Sequence, residues 1–456
     1  MSIFILIVIV FVLGYVAIAL EHPIKIDKAA SALLIGVLCW TIYVLSADTI
    51  LNLGFSPNWN GTGEHGETLH FVGHELNHHL IDIAQILFFL MGAMTIVEII
   101  DQHNGFRVIT DKIKTTHKVK LLWIISFITF FMSAALDNLT TTIVMVALLR
   151  KLIDDRPTRW FYASMVILAA NAGGAWSPIG DVTTIMLWIG GQVTTGAIIT
   201  RVFLPSLASM VIPLTLLSFT MKGHVTRPSN TSESAGITSN KEQLIILIIG
   251  VCALLFVPVF KTITHLPPYM GMLLGLSILW ITTELMHRKK ESESKKRLAV
   301  FNIIRKIDTP TILFFLGILT AVAALQSAGH LNLLAGWLDD KLGNIFLIDV
   351  TIGLLSSVVD NVPLVAGAMG MYPIEAAGAV NYAANFMQDG LFWEFLAYCA
   401  GTGGSILIIG SAAGVAAMGL EKIDFIWYLK KISWLALLGY LAGAGVYYLQ
   451  SLIIVH

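Results

Sequence analysis

The sequence has few charged residues and few cysteines. Asp, Glu, Lys and Arg make up 12% of its 456 residues, whereas soluble domains average about 25%. The formal net charge of -1 excludes the strongly basic balance of a nucleic-acid-binding protein, so no such partner is expected. The three cysteines, Cys39, Cys252 and Cys399, are widely separated, and each lies in an apolar run. We therefore expect neither a disulfide framework nor a thiolate metal site.

Hydrophobic residues, by contrast, make up 56% of the chain. A helix needs about 20 apolar residues to cross the hydrocarbon core of a bilayer, and such runs recur from end to end. Because no basic segment precedes the first run, we expect residues 1–20 to form a helix rather than a cleaved signal peptide. The sequence therefore predicts a polytopic all-α membrane protein with simple spans at 3–20, 29–46, 82–100, 202–221, 243–260, 268–286, 311–328 and 432–452.

Two apolar stretches, 121–150 and 343–372, are about 30 residues long, which is too long for one span and too short for two. Each has an Asp-Asn pair near its middle. Basic residues flank the first stretch and mostly acidic residues flank the second. The positive-inside rule thus predicts one re-entrant hairpin entering from the cytoplasm and one from outside. Two further stretches, 160–190 and 391–420, contain Gly-rich segments and are predicted to be broken transmembrane helices.

An internal repeat relates the two halves of the chain. The Asp-Asn pair and the Gly-Gly segment of the first half recur in the same order in the second half. Since the two hairpins are predicted to enter from opposite sides, the repeats 1–221 and 243–456 have inverted topology, as in many secondary transporters. The polar residues 222–242 between them predict a flexible cytoplasmic linker. With the N-terminus outside, nearly all basic residues fall in cytoplasmic loops.

Asp137 and Asp360 are the carboxylates that the sequence places deepest in the membrane, at the tips of the predicted hairpins. An ionised carboxylate in hydrocarbon costs several kcal/mol, so such a residue indicates a functional site. Half-helices that meet at a tip leave backbone carbonyls unpaired, and these favour a cation. Both aspartates are therefore predicted to carry the transported ion. In the alternative interpretation they only cap the hairpin helices, and the Gly-Gly segments allow close helix packing.

Side chains with oxygen atoms surround both tips, and sodium prefers such hard ligands. Glycines in the breaks, Gly173 among them, are expected to free backbone oxygens for the same purpose. The sequence thus predicts two similar but unequal cation sites. The expected sodium ligands are Asp137, Asn138, Asn171, Asp360 and Asn361. Further binding candidates are Thr140, Thr141, Ser177, Asp181 and Thr183 near the first tip, and Thr402, Ser405 and Ser411 near the second.

Two other features carry weaker signals. Glu98, late in the third span, is a candidate proton relay, with snorkelling or pairing at the cytoplasmic end as the alternative. Residues 74–78, His-Glu-Leu-Asn-His, have the spacing of zinc proteases. They lie in a predicted outside loop, 47–81, with no obvious distant third ligand. A solvated segment is therefore expected there, with neither a catalytic zinc ion nor any other cofactor.

Residues 135–142, Ala-Leu-Asp-Asn-Leu-Thr-Thr-Thr, and 171–184, Asn-Ala-Gly-Gly-Ala-Trp-Ser-Pro-Ile-Gly-Asp-Val-Thr-Thr, resemble the NhaD-type sodium/proton antiporters of the ion transporter superfamily. The resemblance covers nearly the whole chain, including the second Asp-Asn hairpin. It implies exchange of sodium or lithium for protons across the inner membrane by alternating access. It also implies a homodimer in the lipid bilayer and a transporter rather than an enzyme.

Substrate does not follow from this resemblance alone, because other members of the superfamily carry dicarboxylates, citrate or arsenite on the same fold. A sodium-coupled carrier of a small anion is therefore the alternative interpretation. Aspartates at both tips favour a cation, since a site for a carboxylate substrate should avoid fixed negative charge. Anion carriers of the superfamily resemble this chain with Ser-Asn-Thr at the tip, so Asp137 is the discriminating residue.

Overall fold

A computed structural model of the chain describes residues 2–19, 21–61, 65–110, 112–228, 238–288 and 298–453. These ranges contain α-helices, one short 3-10 helix at Asn381–Phe386 and isolated β-bridges. The α-helices are α1 Ser2–Ala19, α2 Glu21–Ile24, α3 Lys28–Leu45, α4 Ala47–Leu51, α5 His65–Gln102, α6 Arg107–Thr110, α7 Lys118–Leu136, α8 Asn138–Leu152, α9 Arg156–Ala175, α10 Val182–Ile189, α11 Thr195–Thr220, α12 Asn240–Thr264, α13 Pro268–Met286, α14 Val300–Ile304, α15 Thr309–Ser327, α16 His330–Leu342, α17 Ile345–Leu355, α18 Asn361–Met371, α19 Leu391–Gly403, α20 Ala412–Glu421, α21 Phe425–Lys431 and α22 Ser433–Ile453.

Eight of these helices are long and apolar enough to cross a membrane, namely α3, α5, α7, α11, α12, α13, α15 and α22. Every simple span predicted from the sequence coincides with all or part of a helix, including the first, which corresponds to α1. Hydrocarbon offers no hydrogen-bond partners, so the backbone N–H and C=O groups of each helix are paired within the helix. The chain is therefore a polytopic all-α membrane protein, as the distribution of apolar runs predicts.

The two predicted hairpins are each a pair of helices interrupted at an Asp-Asn sequence. In the first, α7 ends at Leu136 and α8 begins at Asn138; in the second, α17 ends at Leu355 and α18 begins at Asn361. With 19 residues α7 is long enough to cross a membrane, whereas α8 has 15. The two arms of the first pair thus differ in length. Their re-entrant course remains a prediction.

The chain divides into two compact units, each of which takes segments from both halves of the sequence. Unit 1 comprises Met1–Phe88, Asp308–Ile348 and Val362–Gln388, and unit 2 comprises Phe89–Ile307, Asp349–Asn361 and Asp389–His456. In unit 1, α3 packs along α15. A Cβ atom on Gly36 would lie 2.7 Å from the carbonyl oxygen of Gly317, so small residues let these helices approach closely. Trp40 Nε1 donates to Thr320 O across the same contact at 2.8 Å.

Unit 2 is organised around α9, which contacts α7, α8, α11, α19 and α20. Asp155 begins α9, because its carboxylate accepts a hydrogen bond from Thr158 N at 2.9 Å. Every residue of α9 from Tyr162 to Ala175 is buried. The helices interrupted near residues 137, 176–181, 356–360 and 404–411 all have residues in this unit. The breaks are thus brought together around a buried helix.

The predicted outside loop 47–81 is wrong over most of its length. Residues 47–51 form α4, and α5 begins at His65, so the segment with zinc-protease spacing is helical. Glu75 is buried and accepts a hydrogen bond from Ser327 Oγ at 3.1 Å. Within the described ranges, no group of three His, Cys, Asp or Glu side chains could hold a metal ion.

The predicted linker is only partly described, since residues 229–237 lie outside the described residues. Its first part is bound to the chain before α7: Val225 N donates to Thr116 O at 2.8 Å, and Lys118 N donates to Gly223 O at 3.0 Å. Its last part is also ordered by pairing, because Ser239 and Glu242 form a capping box and α12 begins at residue 240. Both ends of the predicted linker thus form hydrogen bonds with defined partners, and its flexibility stays a prediction.

Candidate functional site

The first interruption of interest lies at Asp137, which both ends α7 and begins α8. Its carboxylate accepts hydrogen bonds from Thr140 N at 2.7 Å and from Thr140 Oγ1 at 2.8 Å. Its φ angle is 121°, a value that residues with a side chain rarely adopt. Strained backbone of this kind persists where the surrounding structure holds it, and it concentrates at functional sites. Asp137 thus caps a helix and is held in an unusual position.

Asp181 is the side chain on which the most polar contacts converge. It begins α10, and Oδ1 accepts hydrogen bonds from Thr183 N and Thr183 Oγ1, both at 2.9 Å. Asn138, the first residue of α8, donates from Nδ2 to Oδ2 at 2.6 Å. Asn361, the first residue of α18, lies at the limit of a hydrogen bond, with Nδ2 3.5 Å from Oδ1. The amides that follow both tip aspartates therefore point at one carboxylate.

Asn171 extends this network to the second broken helix. Its Oδ1 accepts from Asn138 Nδ2 at 3.2 Å. Its Nδ2 donates to Ser405 Oγ and to Ser411 Oγ, each at 2.9 Å. The amide of Asn171 is completely buried, and these contacts use both of its N–H groups. Residues from both halves of the sequence thus form one polar cluster in unit 2, which joins residues of the two predicted cation sites.

The intramembrane carboxylates differ in their burial. Asp181 is only 1% exposed, whereas Asp137 and Asp360 are half-buried. Asp349, which the sequence-based reasoning did not single out, is 0% exposed. Asp181 is contacted by Asn138 of α8 and by Gly174 of α9, which accounts for its low exposure.

The cluster has an electrostatic property that limits what it can bind. Asp181 interacts electrostatically with both Asp137 and Asp360. Carboxylates that are close together in a medium of low polarity repel each other, and burial penalises every uncompensated negative charge. A cation or added protons would relieve both costs. The arrangement is therefore suited to holding positive charge, and to exchanging one kind of positive charge for another.

Equivalent contacts support the internal repeat. Ser133 Oγ, four residues before Asp137, donates to Ala170 O on α9 at 2.6 Å. Ser356 Oγ, four residues before Asp360, donates to Ala400 O on α19 at 3.0 Å. The same spacing in sequence thus places the same side chain against the same part of a broken helix. Each half of unit 2 builds its break by the same local packing.

Comparison with known proteins identifies the family. The sequence model of the family described as citrate transporter, CitMHS, matches residues 5–388. The chain belongs to the CitMHS family. The chain is 44% identical to "Sodium/proton antiporter 2" of Arabidopsis thaliana over 440 residues. This alignment covers 96% of the chain and 97% of the relative.

Two more relatives of this CitMHS protein carry similar names. "Sodium/proton antiporter 1" of Arabidopsis thaliana is 45% identical over 439 residues, covering 96% of this chain and 71% of the relative. "Na(+)/H(+) antiporter NhaD" of Vibrio cholerae serotype O1 is 30% identical over 472 residues, covering 97% of this chain and 91% of the relative. The resemblance to NhaD-type antiporters that the sequence motifs indicate is thus confirmed.

The asparagines predicted to bind sodium also form hydrogen bonds within the cluster. Asn138 and Asn361 turn their amide nitrogen atoms, not their oxygen atoms, toward Asp181. Asn171 uses its amide oxygen to accept from Asn138. The amide N–H groups of Asn138 and Asn361 stabilise the Asp181 carboxylate, and sodium binding by the asparagine oxygens stays a prediction. The carboxylates of Asp137, Asp181 and Asp360 offer the oxygen ligands.

The remaining predicted residues divide into those near the cluster and those bonded elsewhere. Ser177 Oγ donates to Ala134 O at 2.5 Å, which ties the first broken helix to α7. Thr141 Oγ1 is buried and has no hydrogen-bond partner among the described residues. Thr402 Oγ1 donates to Tyr398 O in the preceding turn at 2.7 Å, as threonines in membrane helices commonly do. Glu98 accepts from Gln102 on its own helix at 2.8 Å.

Gly173 does not free the backbone, because it lies within α9, and the non-helical segment begins only at Trp176. A Cβ atom on Gly173 would collide with the carbonyl oxygen of Phe130 on α7. Its counterpart Gly403 meets the carbonyl oxygen of Gly353 on α17 in the same way. The alternative interpretation of these glycines, close helix packing, is therefore correct at both positions.

This packing leads to a first prediction. Gly173→Ala and Gly403→Ala are each expected to lower stability by at least about 2 kcal/mol, because the added methyl group displaces backbone that cannot move aside. Gly445→Ala on α22 is the matched control, since nothing lies within 4 Å of the added atom. The measurement is the melting temperature of the detergent-solubilised protein. Equal melting temperatures for all three variants would show that the helices do not need this close approach.

Proposed function

We propose that this chain is a secondary active antiporter that exchanges sodium or lithium ions for protons across the inner membrane. The observation that carries the proposal is the convergence of Asn138 and Asn361 on Asp181, with two more carboxylates in electrostatic contact with it. Such a group of carboxylates is stable when it holds positive charge, whether as a metal ion or as protons. The names of the relatives specify the same pair of ions.

The mechanism that we propose is competition for one cluster. When Asp181, Asp137 and Asp360 are deprotonated, their oxygen atoms bind a sodium ion, which prefers hard oxygen ligands. When protons neutralise the carboxylates, the attraction for sodium is lost and the ion leaves. The loaded and the protonated forms then alternate access between the two sides of the membrane. Asn138 and Asn171 keep Asp181 oriented through both steps.

We further propose the inverted arrangement of the two repeats, with an outside N-terminus and re-entrant helix pairs. The matching contacts of Ser133 and Ser356 support equivalent local structures in the two halves, and opposite flanking charges support opposite orientations. A homodimer is expected from the resemblance to NhaD-type antiporters. Membership of a transporter family and the helical spans indicate a transporter in a lipid bilayer rather than an enzyme.

A sodium-coupled carrier of a small anion is the second candidate, because the family description names citrate. The geometry of the cluster favours the antiporter. A citrate ion at this site would meet the negative charges of Asp181 and its two neighbouring carboxylates, and like charges at close range cost several kcal/mol. The anion carrier would therefore need these groups to be neutral, whereas the antiporter uses their charge.

The second prediction tests these two functions against each other. Purified protein is reconstituted in proteoliposomes with an imposed pH gradient, and proton flux is recorded with a pH-sensitive dye. Sodium, lithium, potassium and citrate are added in turn. We expect proton movement on addition of sodium or lithium, and none with potassium or citrate. Citrate-dependent uptake of sodium without proton movement would instead establish the anion carrier.

A further inference from the structure

Two buried carboxylates lie outside the cluster around Asp181. Asp349 is on α17 and is 0% exposed, and Glu394 is in the first turn of α19 and is 1% exposed. Both belong to unit 2. Asp349 is on the helix that ends before the break at 356–360, and Glu394 is on the helix that ends before the break at 404–411. The antiport mechanism described above assigns neither of them a task. A buried carboxyl group without a task is costly, so its presence needs a reason.

Glu394 is paired with Tyr447 on α22. The Tyr447 hydroxyl oxygen lies 2.9 Å from Glu394 Oε2 and 3.2 Å from Leu391 O. A hydroxyl has one proton and can donate to only one of these acceptors. Both contacts become hydrogen bonds if Glu394 is protonated, because its O–H then donates to Tyr447 and the Tyr447 O–H donates to Leu391 O. The geometry thus accommodates a proton on Glu394 without any rearrangement.

Asp349, on α17, is buried, and Tyr440 of α22 contacts the residue next to it. Neither of its carboxyl oxygens has a hydrogen-bond partner in the described part of the chain. Tyr440 Oη donates to Val350 O, the residue after Asp349, at 3.0 Å. One turn further along α17, a Cβ atom on Gly353 would collide with Tyr440 Oη and lie 2.6 Å from Cys399 O. This face of α17 therefore packs closely on α19 and α22.

Few charged groups act on the two carboxyls. Cys399, Tyr440 and Tyr447 interact electrostatically with Asp349. Glu394 interacts electrostatically with Arg201, which is positively charged, and with Asp389, which is negatively charged. The Tyr447 hydroxyl also forms a hydrogen bond with Glu394. Tyr440 and Tyr447 are seven residues apart on α22 and so occupy one face of that helix. The tyrosines link the surroundings of the two carboxyls into a single buried region.

A proton suits this region better than a metal ion. Sodium requires several oxygen ligands at once, but the Tyr440 and Tyr447 hydroxyls already donate to backbone carbonyls or to Glu394. A proton requires only one carboxylate oxygen, and it removes the charge whose burial is costly. Each carboxylate that takes up a proton becomes a neutral carboxyl group, and releasing the proton restores the charge.

The position of the region relates it to the cation site. Asp349 is six residues before the end of α17, or about 9 Å along the helix axis, and Asp360 follows that end. Glu394 is near the start of α19, whose other end leads to Ser405 in the cluster. Asp349, in the middle of α17, and Glu394, near the start of α19, therefore lie on helices whose C-terminal ends lead toward the cluster.

We propose that Asp349 and Glu394, with Tyr440 and Tyr447, form a second proton-binding site that supplies protons to the carboxylates around Asp181. This proposal rests on the proposed sodium/proton exchange. The site holds the protons that drive the return step, and sodium does not bind to it. Substitutions at the site should therefore impair sodium/proton exchange and leave sodium/sodium exchange intact.

The experiment, which is the third prediction, compares two reactions of Asp349→Asn, Glu394→Gln and Tyr447→Phe in proteoliposomes. Exchange of radioactive for unlabelled sodium at equal pH requires no net proton movement, whereas sodium uptake against a pH gradient does. Each variant is expected to retain sodium/sodium exchange within about twofold and to lose sodium/proton exchange by at least about tenfold. Tyr448→Phe, at a residue that is 47% exposed on the same helix, is the control that should leave both reactions unchanged.

Two results would overturn the proposal. If both reactions decrease in the same proportion, the residues support the fold or the cation site instead. If neither reaction changes, the carboxyls hold no transported proton. A wild-type protein that exchanges sodium for sodium but not for protons would contradict the proposed function itself, so the two failures are distinguishable.

Discussion

Asp181→Asn is expected to reduce sodium-driven proton exchange by at least about 100-fold. The substitution removes the attraction between a buried carboxylate and the bound cation, and this loss costs several kcal/mol. Asp181 is almost completely buried and receives hydrogen bonds from Asn138 and Thr183. Asparagine has the same shape, but it offers one acceptor oxygen and carries no charge. The measurement is sodium-dependent dequenching of a pH dye in everted membrane vesicles.

The control for this fourth prediction is Glu284→Gln. Glu284 is an exposed carboxylate near the end of α13, so removing its charge is expected to leave exchange unchanged. Surface expression and melting temperature of both variants would be compared, because an asparagine at position 181 retains the capacity to begin α10. Full exchange activity in Asp181→Asn would remove Asp181 from the transport cycle.

Asp137→Asn and Asp360→Asn are also expected to abolish sodium-driven exchange, and this fifth prediction separates charge from capping. Asparagine is as good as aspartate at the start of a helix, and it has the same size as the aspartate that adopts a φ of 121° at position 137. Asp137→Asn should therefore melt near the wild-type temperature while losing activity. Asp137→Ala should lose the cap as well, at a cost of about 1 kcal/mol.

The outcome distinguishes the two interpretations of the tip aspartates. Loss of exchange in the asparagine variants with unchanged melting temperatures would show that the negative charge is needed for transport. Normal exchange in both asparagine variants, with destabilisation only in Asp137→Ala, would show that these residues cap helices and do nothing more.

Much of the fold could be predicted because hydrocarbon imposes a simple rule on sequence. A span needs a long apolar run, and the positions of α3, α11, α12, α13 and α22 follow from such runs. The interruptions near residues 137 and 360 were also visible, since Asp-Asn interrupts an apolar stretch. The first part of α5 was not visible, because a polar helix beyond the apolar run has no hydrophobic length to mark it.

The sequence predicts which polar residues lie near the breaks, but not how they are arranged in space. The sequence marks Asp181 only as one of many candidate ligands, because its burial depends on α8 and α9, whose arrangement in space has no local signal. The convergence of Asn138 and Asn361 on Asp181 consists of tertiary contacts between residues 43 and 180 positions apart and has no local signature. Asp349 did have one, since it is a single acidic residue within the apolar helix α17.

The most direct test of the account is whether sodium displaces protons from the carboxylates around Asp181. Sodium is titrated into purified, detergent-solubilised protein in a weakly buffered solution, and proton release is measured with a pH electrode. The account predicts that sodium releases protons from the wild-type protein and that Asp181→Asn neither binds sodium nor releases protons. Sodium binding to the wild-type protein without proton release, or equal proton release by Asp181→Asn, would contradict it.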